Sequence, residues 1–177
     1  MKTAVFAGGC FWCTEYDFEK VEGVSKVTSG YAGGHTDNPT YYEVASETTG
    51  HRESVEIEYD PSIVTYEYLV DHLIRIINPT DATGSFHDRG ISYTPAVFYM
   101  NDEEKGIAEK VIQIWNDKKI YSRPLAVKVL PYTNFYPAEE EHQKYHEKNP
   151  VHYAMYREAS GRNAQVKMNE ELFPKNH

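Results

Sequence analysis

KTAVFAGGCFWCTEYDFEKVEGVSKVTSGYAGG, residues 2–34, sets the topology of the chain. Residues 2–9 are a short apolar run that stops at a glycine pair, which is how a strand enters a turn. A helical spacing begins near Cys10, is carried by Phe11, Glu15 and Phe18, and is closed by Gly23. VSKVTSGYAGG, residues 24–34, reads as a second strand with its own glycine turn. The stretch is therefore strand, helix, strand. Its helix opens on Cys10 and Cys13, the two cysteines of the sequence, with Phe11 and Trp12 between them.

Further along, HTDNPTYYEVASETTGH (35–51) reads as a polar loop turned at Asn38-Pro39. RESVEIEYDP (52–61) alternates Val55, Ile57 and Tyr59 against Ser54, Glu56 and Glu58, the pattern of a half-exposed strand. TYEYLVDHLIRII (65–77) is a helix with Thr65 as its cap and Tyr68, Leu69, His72, Leu73 and Ile76 on one face. NPTDATGSFHDRGISYT (78–94) is a second long loop, and a loop of that length inside a compact domain is usually functional or disordered. PAVFYM (95–100) is a buried strand. DEEKGIAEKVIQIWNDKK (102–119) is an amphipathic helix whose terminal acids and lysines suit the helix dipole, and LAVKVL (125–130) is another strand. PAEEEHQKYHEKNP (137–150) reads as an exposed helix opened by Pro137, and the tail from Val151 shows no period. The order βαββαβαβ mixes hairpin-compatible and crossover connections. It predicts an α+β two-layer core rather than a doubly wound parallel sheet. Residues 1–177 are expected to form a single catalytic domain, with the core at about 2–150 and an irregular tail over 151–177.

A chain of 177 residues can bury a real core. The formal net charge of −9 argues against a general nucleic-acid binder. No apolar run reaches the roughly 18 residues of a membrane span, and the N-terminal run is too short for a signal peptide. The expected location is cytoplasmic.

Two cysteines three positions apart cannot staple a large fold. In a reducing compartment such a pair is redox-active or metal-binding more often than structural. At the first turn of a helix, free backbone N–H groups and the positive dipole end favour a thiolate, so Cys10 is the better nucleophile. Positions i and i+3 share a face, so a Cys10–Cys13 disulfide is geometrically easy. The bland alternative is a pair of buried core cysteines. Zinc wants four ligands, and no second CxxC is present. Adjacent helical residues point about 100° apart, so one of Phe11 and Trp12 is left to line the thiol. An apolar wall beside a thiolate suits an apolar, sulfur-bearing group.

GGCFWCTE (8–15) resembles the active-site stretch of the A-type peptide methionine sulfoxide reductases. GYAGGHTDNPTYYEV, TGHRESVEIEYDP, NPTD, HDRGISY, FYPAEEEHQKY and KNP resemble that family in the expected order, from about Lys2 to about Tyr153. The resemblance implies a ferredoxin-like βαββαβ core wrapped by long loops. It also implies reduction of methionine S-sulfoxide, free or in proteins, to methionine, as repair of oxidative damage. It makes Cys10 the attacking thiol, Glu53 the acid that protonates the sulfoxide oxygen, and Tyr41 and Tyr93 hydroxyl donors to that oxygen. Phe11 and Trp12 would hold the S-methyl group and Asp88 the substrate or its backbone. Tyr42, next to Tyr41, stays open as the donor instead. By composition alone, Glu53 would be a surface residue of a half-exposed strand.

The chain departs from the commonest family pattern. Cys13 replaces a Gly, Asn78 replaces an Asp, and the tail carries no recycling cysteine. Cys13 is then the candidate to resolve a Cys10 sulfenic acid into a Cys10–Cys13 disulfide, which thioredoxin would reduce. No metal or organic cofactor is implied, and neither nucleic acid nor membrane is an expected partner. A monomer is expected. The competing readings are a thioredoxin-type disulfide oxidoreductase and a non-enzymatic redox-sensing or binding module.

Overall fold

Strand β1 (Lys2–Ala7) lies between β3 (Arg52–Tyr59) and β6 (Ala96–Tyr99), antiparallel to both. Its side chains alternate between two buried surfaces, which is why its sequence is a continuous apolar run rather than an alternating one. Ala4 and Phe6 face the large core, which also takes Phe11 and Phe18 from α1 (Phe11–Glu19) and Leu69, Leu73 and Ile74 from α3 (Tyr66–Arg75). Val5 and Ala7 face the other side, with Ala32, Ala96 and Phe98, and Leu130 and Phe135 pack over them. The computed structural model describes residues 1–175.

Beyond β3 runs β2 (Val24–Ala32), whose outer edge is taken by the short strand β8 (Phe135–Pro137). Beyond β6 runs β7 (Lys128–Pro131), the one parallel pairing among the described residues. The sheet order is β7-β6-β1-β3-β2-β8. Helix α4 (Asp102–Asp117) joins β6 to β7 and buries Ala108, Val111 and Trp115. The mixed α and β architecture expected from the sequence is present, and Thr65 caps α3 by accepting from the Tyr68 N–H.

Three expectations are corrected. The polar loop at 35–51 contains α2 (Tyr41–Ala45), started by a capping box in which Thr40 and Glu43 satisfy each other's backbone N–H groups. Such a cap is worth about 1 kcal/mol, enough to organise a single turn. The 137–150 segment is not one exposed helix. It passes from β8 through a turn at Glu140–His142 into α5 (Tyr145–Lys148), with Lys144 left-handed between them at φ 50°. While Glu140, Glu141 and Glu147 stay exposed, Gln143 turns inward and clamps the edge of β2. Gln143 accepts from the Ser29 N–H at 2.9 Å and donates to the Ser29 carbonyl at 2.8 Å. The tail is not irregular over its described part. It forms α6 (Pro150–Ser160) and α7 (Arg162–Leu172), with Pro150 at the first helical position and Gly161 left-handed between the two. Their inward faces carry Arg157, Ser160, Arg162 and Asn169, so no apolar period marks them. Asn169 donates to the Arg75 and Ile77 carbonyls at 2.9 and 2.8 Å, satisfying groups left free at the end of α3. Residues 176 and 177 of the expected tail lie outside the described residues. Among the described residues, no helix is long and apolar enough to cross a membrane.

Candidate active site

Gly8 and Gly9 turn the chain from β1 into α1. Gly9 has φ +85°, and Ser85 packs 2.2 Å from where a Cβ would sit, so position 9 has no room for a side chain. The turn puts Cys10 at the N-cap of α1, one position before the first helical turn where the sequence places it. Both cysteines are reduced and buried, Cys10 at 6% exposure and Cys13 at 0%, so Cys10 is the thiol nearer solvent.

Glu53 is the residue whose placement most changes the sequence reading. On β3 it shares the parity of Val55, Ile57 and Tyr59, and that parity faces the core. It is 3% exposed, and its Oε1 accepts from the Phe11 N–H at 3.1 Å. Burial raises the Glu53 carboxyl to about 8. The Phe11 N–H opposes that shift, and the nearby Asp88 reinforces it. Desolvation outweighs the helix N-terminus, and the acid keeps its proton at neutral pH. With Oε1 engaged by the N–H, Oε2 is the oxygen free to carry and donate that proton.

Tyr41 and Tyr93 converge on the same point. Their hydroxyls are neighbours, and burial followed by the Glu53 charge raises both above the usual tyrosine value. Tyr42 is 84% exposed and points away, which separates it from Tyr41. Asp88 lies on β5 (Asp88–Arg89), which pairs with β4 (Gly84–Ser85) as a small hairpin inside the second long loop. Asp88 accepts a hydrogen bond from Tyr156 of α6. Phe11 is buried against Tyr31, and Trp12 is the aromatic left on the rim. Tyr145 stacks on Trp12 at 3.7 Å and 6°, and the Trp12 indole N–H donates to His142 Nδ1 at 3.2 Å. The C-terminal segment thus covers Trp12 and occupies Asp88.

The thiols reverse the expected order of acidity. Burial pushes the Cys10 thiol well up, and the adjoining Cys13, Glu53 and Asp88 charges add to it. Cys13 is lowered to about 6, first by the hydrogen bond it accepts from Cys10, with burial opposing and Arg162, Arg157 and Tyr153 helping. Burial of Cys10 and the hydrogen bond between the two sulfurs favour the proton on Cys10 and the charge on Cys13. The helix N-terminus does not by itself make Cys10 the acidic member.

Sequence reasoning missed Glu139, His142, Tyr153, Arg157 and Arg162. Glu139 accepts from the Tyr31 hydroxyl at 2.8 Å and from the Tyr41 N–H at 2.9 Å, fixing the start of α2. His142 stacks on Tyr41 with ring centroids 4.7 Å apart. The signal for Glu139 and His142 was FYPAEEEHQKY (135–145), whose charge pattern reads as a solvated helix, whereas no motif marks Tyr153, Arg157 or Arg162.

Two reduced, buried thiols one helical turn apart, beside a carboxyl that burial raises to about 8, make the site of a thiol-based oxidoreductase. The sequence pattern of the family described as Peptide methionine sulfoxide reductase matches residues 2–172. A peptide methionine sulfoxide reductase MsrA of Bacillus velezensis is 52% identical over 159 residues, 90% of each chain. The structure of Mxr1 from Saccharomyces cerevisiae in reduced form superposes with a TM-score of 0.79 at 32% identity, covering 84% of this chain and 86% of that one. Mxr1 in complex with Trx2 superposes at 0.57 and 26% identity, covering 81% and 84%. The chain belongs to the peptide methionine sulfoxide reductase family and is an oxidoreductase.

Proposed function

We propose that the chain reduces methionine S-sulfoxide, free or in proteins, through Cys10, Glu53 and Cys13, with thioredoxin as the final reductant. The observation that carries this reading is the Glu53 carboxyl, buried, raised by that burial to about 8, and bonded to the N–H next to Cys10. A sulfoxide oxygen is a poor leaving group until it is protonated, and an ordinary Glu has no proton to give at pH 7. Glu53 Oε2 donates that proton while the Tyr41 and Tyr93 hydroxyls bond the oxygen, as an oxyanion-hole pair does. Cys10, the thiol nearer solvent, attacks the sulfur after passing its proton to Cys13. The sulfoxide gains two electrons and leaves as methionine, and the oxygen ends on Cys10 as a sulfenic acid.

Trp12 and Phe11 hold the S-methyl group, and the substrate takes Asp88 from Tyr156. Cys13, one helical turn away, condenses with the Cys10 sulfenic acid, so little loop-closure entropy opposes the disulfide. The Mxr1–Trx2 complex supports a thioredoxin-type protein as the partner that opens it. The strand order β6-β1-β3-β2, with α1 and α3 on one face, supports a ferredoxin-like core within a single catalytic domain. The test is methionine release from each sulfoxide epimer with a thioredoxin system, set beside insulin-disulfide reduction in the same buffer. Release from the S epimer without insulin reduction supports the reading. Insulin reduction without methionine release overturns it in favour of a general disulfide oxidoreductase.

A further inference from the structure

Arg162 opens α7 and is 1% exposed. Its guanidinium donates to the Ile76 carbonyl at 2.8 Å, the Gly8 carbonyl at 3.1 Å and the Ser85 hydroxyl at 3.3 Å. It also sits over the Phe86 ring at 4.9 Å. All of these partners are neutral. The other buried arginines differ: Arg75 pairs with Asp71 and Glu170, and Arg157 pairs with Asp17. Among the described residues, Arg162 has no carboxylate partner. A buried cation without a counter-charge is costly, and proteins pair such groups. The same nitrogen that reaches the Gly8 carbonyl lies 3.0 Å from where a Cβ on Gly9 would sit, directly beneath the turn that carries Cys10.

We propose that Arg162 is the positioning residue of the cysteine pair: its charge is balanced by the Cys13 thiolate, which it holds ready to attack the Cys10 sulfenic acid. This rests on the reading of Cys13 as the resolving thiol. In that step the Cys13–Cys10 sulfur bond forms and the Cys10 sulfur–oxygen bond breaks. The Cys13 sulfur is oxidised and the Cys10 sulfur reduced, and hydroxide leaves, taking a proton from solvent to become water. The charged and titratable groups around Cys13 are Cys10 on its own helix, Glu53 on β3, Tyr153, Tyr156 and Arg157 on α6, and Arg162 on α7. Arg162 is the largest charge effect among those that lower the Cys13 thiol, and Arg157 already answers to Asp17. The C-terminal segment, cysteine-free as it is, thus takes part in recycling by supplying a charge instead of a thiol.

The test compares wild type with Arg162→Gln, which keeps a hydrogen-bond donor but loses the charge, and Arg162→Lys, which keeps the charge. Thiolate absorbance near 240 nm is titrated, with alkylation mapped to the Cys13 peptide. The rate of Cys10–Cys13 disulfide formation after one turnover is then followed from pH 5.5 to 9. In Arg162→Gln the Cys13 titration moves up by one unit or more, and disulfide formation at pH 6 slows about two- to tenfold, because thiolate fraction falls faster than nucleophilicity rises. The two profiles cross at alkaline pH, and Arg162→Lys stays near wild type. A merely structural role would lower the rate equally at every pH, and that result overturns the proposal. Should Arg162→Gln not fold, wild type still decides: no thiolate at Cys13 below pH 8 overturns it, whereas a midpoint near 6 with Arg162→Lys unshifted supports it. A wild-type protein that forms no Cys10–Cys13 disulfide refutes the resolving role itself, a separate outcome from an unshifted pH profile.

Discussion

Glu53→Gln is expected to weaken the enzyme and strengthen the fold, and both effects follow from one proton. The ordinary value for this carboxyl is 4.5, and in the folded chain burial raises it to about 8. Between those values the unfolded chain has released its proton and the native state still holds it. The unfolded state therefore binds fewer protons, and stability falls as pH rises through that window and levels off above about 8. Each pH unit is worth about 1.4 kcal/mol, so the penalty at pH 7 is on the order of 3 kcal/mol. Gln cannot ionise, keeps an oxygen for the Phe11 N–H, and escapes the penalty. Urea unfolding of the two proteins should agree within error near pH 4, with Glu53→Gln the more stable by a few kcal/mol at pH 8. Turnover should fall by about 10²–10⁴ with KM little changed, because the acid acts in the transition state. If the stability difference does not grow with pH, Glu53 is ionised in the native state and cannot be the acid.

The pH dependence of kcat/KM should be bell-shaped. It should rise through about 6 as the cysteine pair takes up its charge and fall above about 8 as Glu53 loses its proton. Steady-state rates across that range check both limbs. Tyr41→Phe and Tyr93→Phe should each lower kcat, by up to about 10²-fold for a lost oxyanion donor, while the exposed Tyr42→Phe should be indistinguishable from wild type. Cys13→Ser should release one methionine per chain in a single burst and then lose thioredoxin-supported turnover, with dithiothreitol restoring it in part.

The strand–helix–strand at residues 2–34 was legible because two periods and two glycine turns agree there. The capped α3 and amphipathic α4 were legible because their buried faces are apolar at helical spacing. The sequence did not reveal what polar side chains hold in place. α6 and α7 look irregular because they bury Arg157, Arg162 and Asn169, although Pro150 and Gly161 marked their ends. The clamp at 139–143 reads as a solvated helix because Glu139 and Gln143 spend their polarity on the backbone of α2 and β2. Glu53 is instructive, since the alternation that made β3 look half-exposed also put it on the side of Val55 and Ile57. The order of thiol acidity was not readable at all. It depends first on the burial of Cys10 and the hydrogen bond Cys13 accepts from it, and then on Arg162 and Arg157, about 150 residues away along the chain.

The central claim is that Cys10 removes the oxygen and Cys13 takes over its oxidised sulfur. The most direct measurement is mass spectrometry of the reduced protein after one equivalent of methionine sulfoxide, with no reductant present. The account expects one methionine released per chain, a mass lower by two hydrogens, and a disulfide within the single CFWC peptide. A protein that instead carries a stable extra oxygen on Cys10, while Cys13→Ser turns over normally with thioredoxin, would contradict it.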